Sequence, residues 1–388
     1  MEQRASFYWR QRLFGTKPRR LFWFFWISLS IVLASAYVFF TYFYYPVPSE
    51  PRSQKRLLEW GWHTPRLQNI PQYIGKAQSL PFDGLIFDIA TPHDSRGLAW
   101  TLFGDKTVVV AELTGLSRQF SDFDWGKLTD NFLRVNIFPA NVDWHEDFDN
   151  ILWNLESVAK LAHDLGFRGI MLDTEQYSDV HIFEYPTLEF AGRYTFGEYS
   201  EQVFKRGQQV MEALNRGYPG LTVLYTFGVA VGAQPVALAD LPNHHYGLLI
   251  PFIEGMIDSA DADSVLVDAF EGAYTFKHEQ QFSQAYKLIK GFARDFYSRD
   301  PERYGKIVQA GFGLWLDHNY CNEPSLEPQN CPPGFTPDEF AQAVSLALRY
   351  SDRYVWIYSQ GVNWYTGEGI PEAWKETFDS LGQFEESL

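Results

Sequence analysis

The sequence predicts an α/β protein: a (β/α)8 TIM barrel preceded by one N-terminal transmembrane helix. Three observations predict it. Short apolar runs recur along the chain without polar alternation, as buried parallel strands do. Between most of them lie stretches with apolar residues every three or four positions. A long uncharged segment, 21–45, precedes them all. The 388 residues suffice for one barrel domain of about 250–320 residues plus a tail. No glycine-rich phosphate loop follows any apolar run, which tells against a doubly wound open sheet.

Residues 1–20 form a basic tail, with Arg4, Arg10, Arg12, Lys17, Arg19 and Arg20 against Glu2 alone. Residues 21–45 carry no charge, and as a helix they span roughly 37 Å, enough to cross a bilayer with some tilt. The basic flank predicts an uncleaved, single-pass signal anchor, its N-terminus cytoplasmic and the main domain periplasmic or extracellular. Cleavage at Ala34-Ser35-Ala36 is the competing expectation. Residues 46–63 read as a linker and 64–388 as the barrel domain.

Thr64-Pro65 supplies an N-cap and a first helical position for a helix ending before Pro81. Strands are expected at 85–89, 98–103, 133–138, 169–173, 222–227, 265–270, 308–316 and 354–358, with 107–113 as the alternative for the second. A helix over 147–165 repeats Phe148, Ile151, Leu152, Leu155, Val158, Leu161, Ala162 and Leu165, and stops at Gly166. Helices over 197–216, 279–297 and 336–350 follow, the last opened by Thr336-Pro337-Asp338-Glu339. Residues 246–260 read as helix, which places Glu271 rather than Glu254 at the barrel mouth.

Beyond residue 20 the chain holds 26 basic and 47 acidic residues. Such a body repels phosphate backbones, so no nucleic-acid partner is expected. Aromatic residues make up 18% of the chain and offer flat apolar faces on which sugar rings can stack. The two cysteines, Cys321 and Cys331, lie in one Pro- and Asn-rich loop. A disulfide between them would fit an oxidising compartment.

The fourth expected strand, 169–173, breaks from an apolar run into Asp173-Thr174-Glu175. Residues two apart on a strand share a face, so both carboxylates can aim into the mouth, where barrel enzymes do their chemistry. Close carboxylates raise one another's pKa, so that one can serve as a general acid while the other stays ionised. Glu271 follows the apolar run 265–270 in the same way. Acids from strands four and six can flank one bound sugar, as glycosidic cleavage requires. Asp88, Asn136, Tyr177, Tyr225, Asp268, Trp315, Asp317, Trp356, Tyr358 and Trp364 complete an expected polar and aromatic rim for substrate. No cofactor is expected. His244-His245 and Asp143-x-His145 lack a third ligand at suitable spacing, so no metal site is expected. No Gly-x-Ser-x-Gly elbow or Cys/His couple points to a Ser or Cys nucleophile.

The stretch 169–177 resembles the last part of the strand-four signature of chitinase-type glycoside hydrolases, Asp-x-x-Asp-x-Asp-x-Glu. The resemblance implies Glu175 as proton donor and Asp173 as the residue that orients the substrate's acetamido group; Met171 stands where that family has a further Asp. Hyaluronidase-like and endo-N-acetylglucosaminidase-like barrels also place an acidic pair here. Barrel α-glucosidases and α-galactosidases are similar in placing an Asp nucleophile on strand four and an acid/base on strand six, which implies Asp173 with Glu271 or Asp268. Residues 80–375 look like membrane-anchored barrel hydrolases. The expectation is a tethered glycosidase acting on a polysaccharide or oligosaccharide, with the lipid bilayer contacted through 21–45. An inactive glycan-binding or scaffold barrel is the alternative.

Overall fold

The apolar runs form nine strands among the described residues: β1 Arg56–Gly61, β2 Gly84–Phe87, β3 Phe132–Asn136, β4 Gly169–Asp173, β5 Thr222–Tyr225, β6 Val265–Asp268, β7 Val308–Ala310, β8 Phe312–Trp315 and β9 Tyr354–Ser359. All pair in parallel, in the order β7-β6-β5-β4-β3-β2-β1-β9-β8. The two ends of that order are consecutive in sequence. β7 pairs with β6 and β8 with β9, with Gly311 between them. A Cβ at Gly311 would lie 2.8 Å from Tyr354 O, too close for any other residue without a shift. β7 and β8 are thus one stave bent at this glycine, and the sheet closes as an eight-stave barrel.

The computed structural model describes residues 51–93, 97–177, 181–228, 236–318, 334–370, 372–374 and 376–377, with Trp26, Pro48 and Leu381 as isolated positions. Val47–Leu388 forms one compact unit. The expected membrane segment 21–45, Trp26 excepted, and the expected Cys321–Cys331 pair lie outside the described residues. Among the described residues no helix is long and apolar enough to cross a membrane.

Alternation along each strand fills the barrel interior with Leu58, Trp60, Ile86, Phe132, Met171, Leu224, Val267, Ala269, Tyr354 and Trp356. Helices wrap the outside, and two of them have chemically marked starts. At Phe196–Gly217 and Pro337–Tyr350 the caps Thr195 and Thr336 each exchange hydrogen bonds with a Glu three residues on, satisfying backbone donors the helix leaves over. The helix Asp149–Asp164 stops where expected, before Gly166 at a φ of 70°. Helix Glu279–Lys287 passes into a π-helical stretch, Leu288–Tyr297.

Three sequence expectations need correction. Residues 98–103 are not a strand: Leu98–Trp100 is a 3-10 turn, and the following chain folds over the barrel end, where Phe103 N donates to Phe138 O at 3.3 Å. The missing stave is β1, inside the stretch read as a linker. Its inward Leu58 and Trp60 are masked in sequence by Arg56 and by Glu59, whose side chain turns outward and is buried. The segment after Thr64-Pro65 begins as 3-10 helix, Leu67–Gln72, and only then becomes the helix Ile74–Ser79.

The two barrel ends differ in charge. At the N-terminal end Asp130 is buried and gathers Arg56 Nε at 3.1 Å, Arg353 Nη2 at 3.2 Å and Arg168 Nε at 3.4 Å, with Tyr354 donating at 3.0 Å. The C-terminal end holds Asp88, Asp173, Glu175 and Glu271.

Candidate active site

β3 and β4 build the floor of the C-terminal mouth. Phe132 faces the interior, so Arg134 and Asn136, at steps of two, face the same way. On β4 the same parity takes Met171 to Asp173. Arg134 Nη2 donates to Asp173 Oδ2 at 2.9 Å, and its guanidinium sits 4.6 Å from the Trp60 ring and 5.0 Å from the Trp100 ring. Asp173 is fully buried. It also accepts from Tyr177 OH at 2.9 Å, Glu175 N at 3.2 Å and Thr226 Oγ1 at 3.4 Å. Its lone pairs are therefore largely occupied.

Glu175 extends beyond Asp173 on the same side. Burial, then the charge of Asp173, raises its pKa, while a hydrogen bond from Tyr177 and the charge of Arg134 oppose the rise. Glu271 opens the 3-10 turn Glu271–Ala273 after β6, and its N–H donates to Thr226 O at 3.0 Å. Its pKa is pushed well above the ordinary carboxyl range by burial and then by Glu175 and Asp173, against Tyr274 and Arg134. Glu271 thus feels Glu175, and both feel Asp173. Leu249–Ser259 is helical, as expected for this stretch, so Glu271 and not Glu254 reaches the mouth.

An aromatic wall surrounds the acids. Tyr274 stacks on Tyr358 at 5.7 Å and meets Trp315 at 5.5 Å and Trp356 at 5.3 Å; Trp100 meets Tyr177 at 5.2 Å. Trp62, 73% exposed, hydrogen-bonds Tyr358 through its indole N–H. Trp60, Trp62, Trp100, Arg134 and Tyr274 were not singled out from the sequence. A lone arginine inside the apolar run Leu133–Val135 was a usable signal, since a charge there needs an inward partner.

The remaining expected rim residues divide. Asp88 closes β2 beside Arg134 and is held by Ile89 N at 2.8 Å and Ala99 N at 3.4 Å. Gly97, at a φ of 128°, permits that approach, because a Cβ would lie 2.2 Å from Asp88 Oδ2. Asn136 is fully buried beside Asp173, and neither of its amide atoms has a hydrogen-bond partner among the described residues. Trp315 and Tyr358 belong to the aromatic wall. Trp356 is interior core, its indole N–H bonded to Ala269 O at 2.7 Å. Tyr225 and Asp268 fall on the strand faces opposite Leu224 and Val267, toward the helices and away from the mouth. Asp317 accepts from Trp315 Nε1 and from the backbone N–H groups of 360–362, so it staples a loop. Trp364 is buried against Phe82, away from the acids.

No family model matches this sequence, and no curated protein is detectably similar to it. Among solved structures the chain is similar to an endoglucanase at 9% identity and a TM-score of 0.45, over 86% of this chain and 97% of that one. It is similar to a sugar phosphate isomerase/epimerase from Parabacteroides distasonis at 7% identity and a TM-score of 0.36, over 80% and 94% of the two chains. It is also similar to a chitinase from the chitin utilization locus of Flavobacterium johnsoniae, at 9% identity and a TM-score of 0.35, over 85% and 94%.

Proposed function

We propose that the protein is a glycoside hydrolase, tethered through residues 21–45 and acting on an extracellular or periplasmic glycan. One observation carries the reading. Two glutamates from different staves, Glu175 and Glu271, enter one aromatic-walled mouth with raised pKa values, both through burial and the Asp173 charge and Glu271 also through the charge of Glu175. Such a pair retains one proton where isolated carboxyls would have lost both. Glycosidic cleavage uses that state: the acid protonates the leaving oxygen as the C–O bond breaks, and the carboxylate attacks the anomeric carbon or activates a water.

Burial and the Asp173 charge raise both glutamates. The roles proposed are those expected from the sequence: Glu175 as general acid, Asp173 stabilising substrate or intermediate, and Glu271 as the partner carboxylate. Asp173, tied to Arg134, keeps the pair's proton affinity high. The test is hydrolysis of a polysaccharide panel, and of aryl glycosides with good leaving groups, by the full chain and by Glu175→Gln and Glu271→Gln. Each variant should lose at least about 10²-fold on polysaccharide. Only the acid variant should recover on the activated glycosides, which need no protonation. Glycan bound without turnover by all three proteins would replace the enzyme with a binding barrel.

A further inference from the structure

Three side chains that sequence spacing could not connect meet at the rim. His181 and Glu184 lie in the loop after β4, and His245 lies in the loop before the helix Leu249–Ser259. His181 Nδ1 is 2.9 Å and His245 Nδ1 2.6 Å from the same oxygen, Glu184 Oε2, and the two imidazole rings stand nearly perpendicular with centroids 4.7 Å apart. One ligand-type atom from each residue falls within 4.8 Å of the others. A helix turn or a strand would not aim two ring nitrogens at one carboxylate oxygen.

We infer that His181, Glu184 and His245 form a binding site for a divalent transition-metal ion of the zinc class. Two imidazoles and one carboxylate are a borderline donor set suited to such ions, and a fourth position is left for water. Tetrahedral zinc bonds of 2.0–2.2 Å would set the ligand atoms about 3.3 Å apart, so binding spreads the present contacts by less than about 1 Å. Each imidazole would carry its proton on Nε2 and turn its Nδ1 lone pair to the metal, and Glu184 Oε2, which both Nδ1 atoms already face, would supply the third ligand.

An outer shell is in place. Gln176 Oε1 accepts from Phe183 N at 2.7 Å, its Nε2 donates to His245 O at 2.9 Å, and Gln176 N donates to Tyr246 OH at 3.1 Å. One side chain thus braces both ligand-bearing loops, and it belongs to the residue next to Glu175. The metal would be structural, clasping the two loops across the rim and fixing where the segment after Glu175 lies. Such outer-shell bracing is what orients metal ligands elsewhere.

The experiment is zinc titration of the full chain after chelator treatment, at pH 7.5 and at pH 5.5, with cobalt(II) as a spectroscopic probe. The expected result is one zinc per chain, with affinity falling as pH drops through the histidine range. His181→Ala, His245→Ala and Glu184→Gln should each weaken binding by more than the roughly 10–100-fold that even an outer-shell change costs; His163→Ala, on a distant helix, should not. Should a ligand variant fail to fold, the cobalt spectrum of the unaltered chain still decides, through the intense visible bands of a four-coordinate site. No stoichiometric zinc, a six-coordinate cobalt spectrum, or binding unchanged in His245→Ala would reduce the cluster to a hydrogen-bonded clasp and overturn the proposal. None of these readouts depends on glycosidase activity.

Discussion

Arg134 and Asp173 form a buried ion pair at 2.9 Å whose cationic half lies between the rings of Trp60 and Trp100. Asp173 is wholly out of solvent and Arg134 nearly so. Removing one partner of such a pair leaves an uncompensated charge, at a cost of about 3–5 kcal/mol. Arg134→Met is therefore expected to lower unfolding stability by that amount, measured by denaturant titration at pH 7. Arg134→Lys should recover only part of it, since a point charge does not reproduce the planar contact with two indoles. Equal stability of the Met variant and the unaltered chain would dismiss the pair as a structural element.

The same pair sets the proton affinity of the mouth. Burial is the largest cause of the raised pKa at both Glu175 and Glu271, and the Asp173 charge adds to it at each. Asp173→Asn removes a like charge while keeping much of the shape. Both glutamates should then release protons more easily, and the bell-shaped pH–rate profile on glycan should move to lower pH on both limbs. A profile that stays in place would separate Asp173 from the acid pair.

At the opposite end of the barrel the charges work for stability. Burial acts to raise the pKa of Asp130, but Thr129, Arg353, Arg168 and Tyr354 together hold it below the ordinary value. A depressed carboxyl contributes stability that is present above its unfolded pKa and fades as pH falls through the folded one. Asp130→Asn should destabilise the fold by roughly 3 kcal/mol or more at pH 7, and the difference from the unaltered chain should shrink below about pH 4. A pH-independent difference would assign the effect to packing instead.

How far the sequence could be read follows from which residues speak locally. Asp173, Glu175 and Glu271 announced themselves, because a carboxylate ending an apolar run has few uses other than a sheet edge. The capped helix beginning at Pro337 was equally plain. β1 was hidden: the pattern Arg-Leu-Leu-Glu-Trp-Gly reads as polar until one knows that Glu59 is sheltered by Tyr365 and Thr64. Tyr225 and Asp268 were misplaced by one residue of parity, which the neighbouring interior positions Leu224 and Val267 decide. Trp100 and the His181, Glu184 and His245 cluster come from loops, whose meeting depends on closure of the barrel and leaves no periodic trace.

That sheltered glutamate gives the last prediction. Glu59 is fully buried on the outer face of β1, accepting from Tyr365 OH and Thr64 Oγ1, each at 2.8 Å. Burial raises its pKa from 4.5 to about 7, despite the two hydroxyls. Glu254, on the helix Leu249–Ser259, is raised to about 7 for the same primary reason. A carboxyl whose folded pKa lies above its unfolded one contributes stability that is complete below the unfolded value and lost as pH rises through the folded value. The chain should therefore gain stability as pH falls from 8 to 5, the window in which these two acids take up protons on folding. A shift of this size corresponds to about 3 kcal/mol for Glu59. Glu59→Gln, neutral at every pH, should be more stable than the unaltered chain at pH 8 and nearly equal to it at pH 5, by denaturant titration at both. A constant offset between the two proteins would show that Glu59 is not the group that titrates.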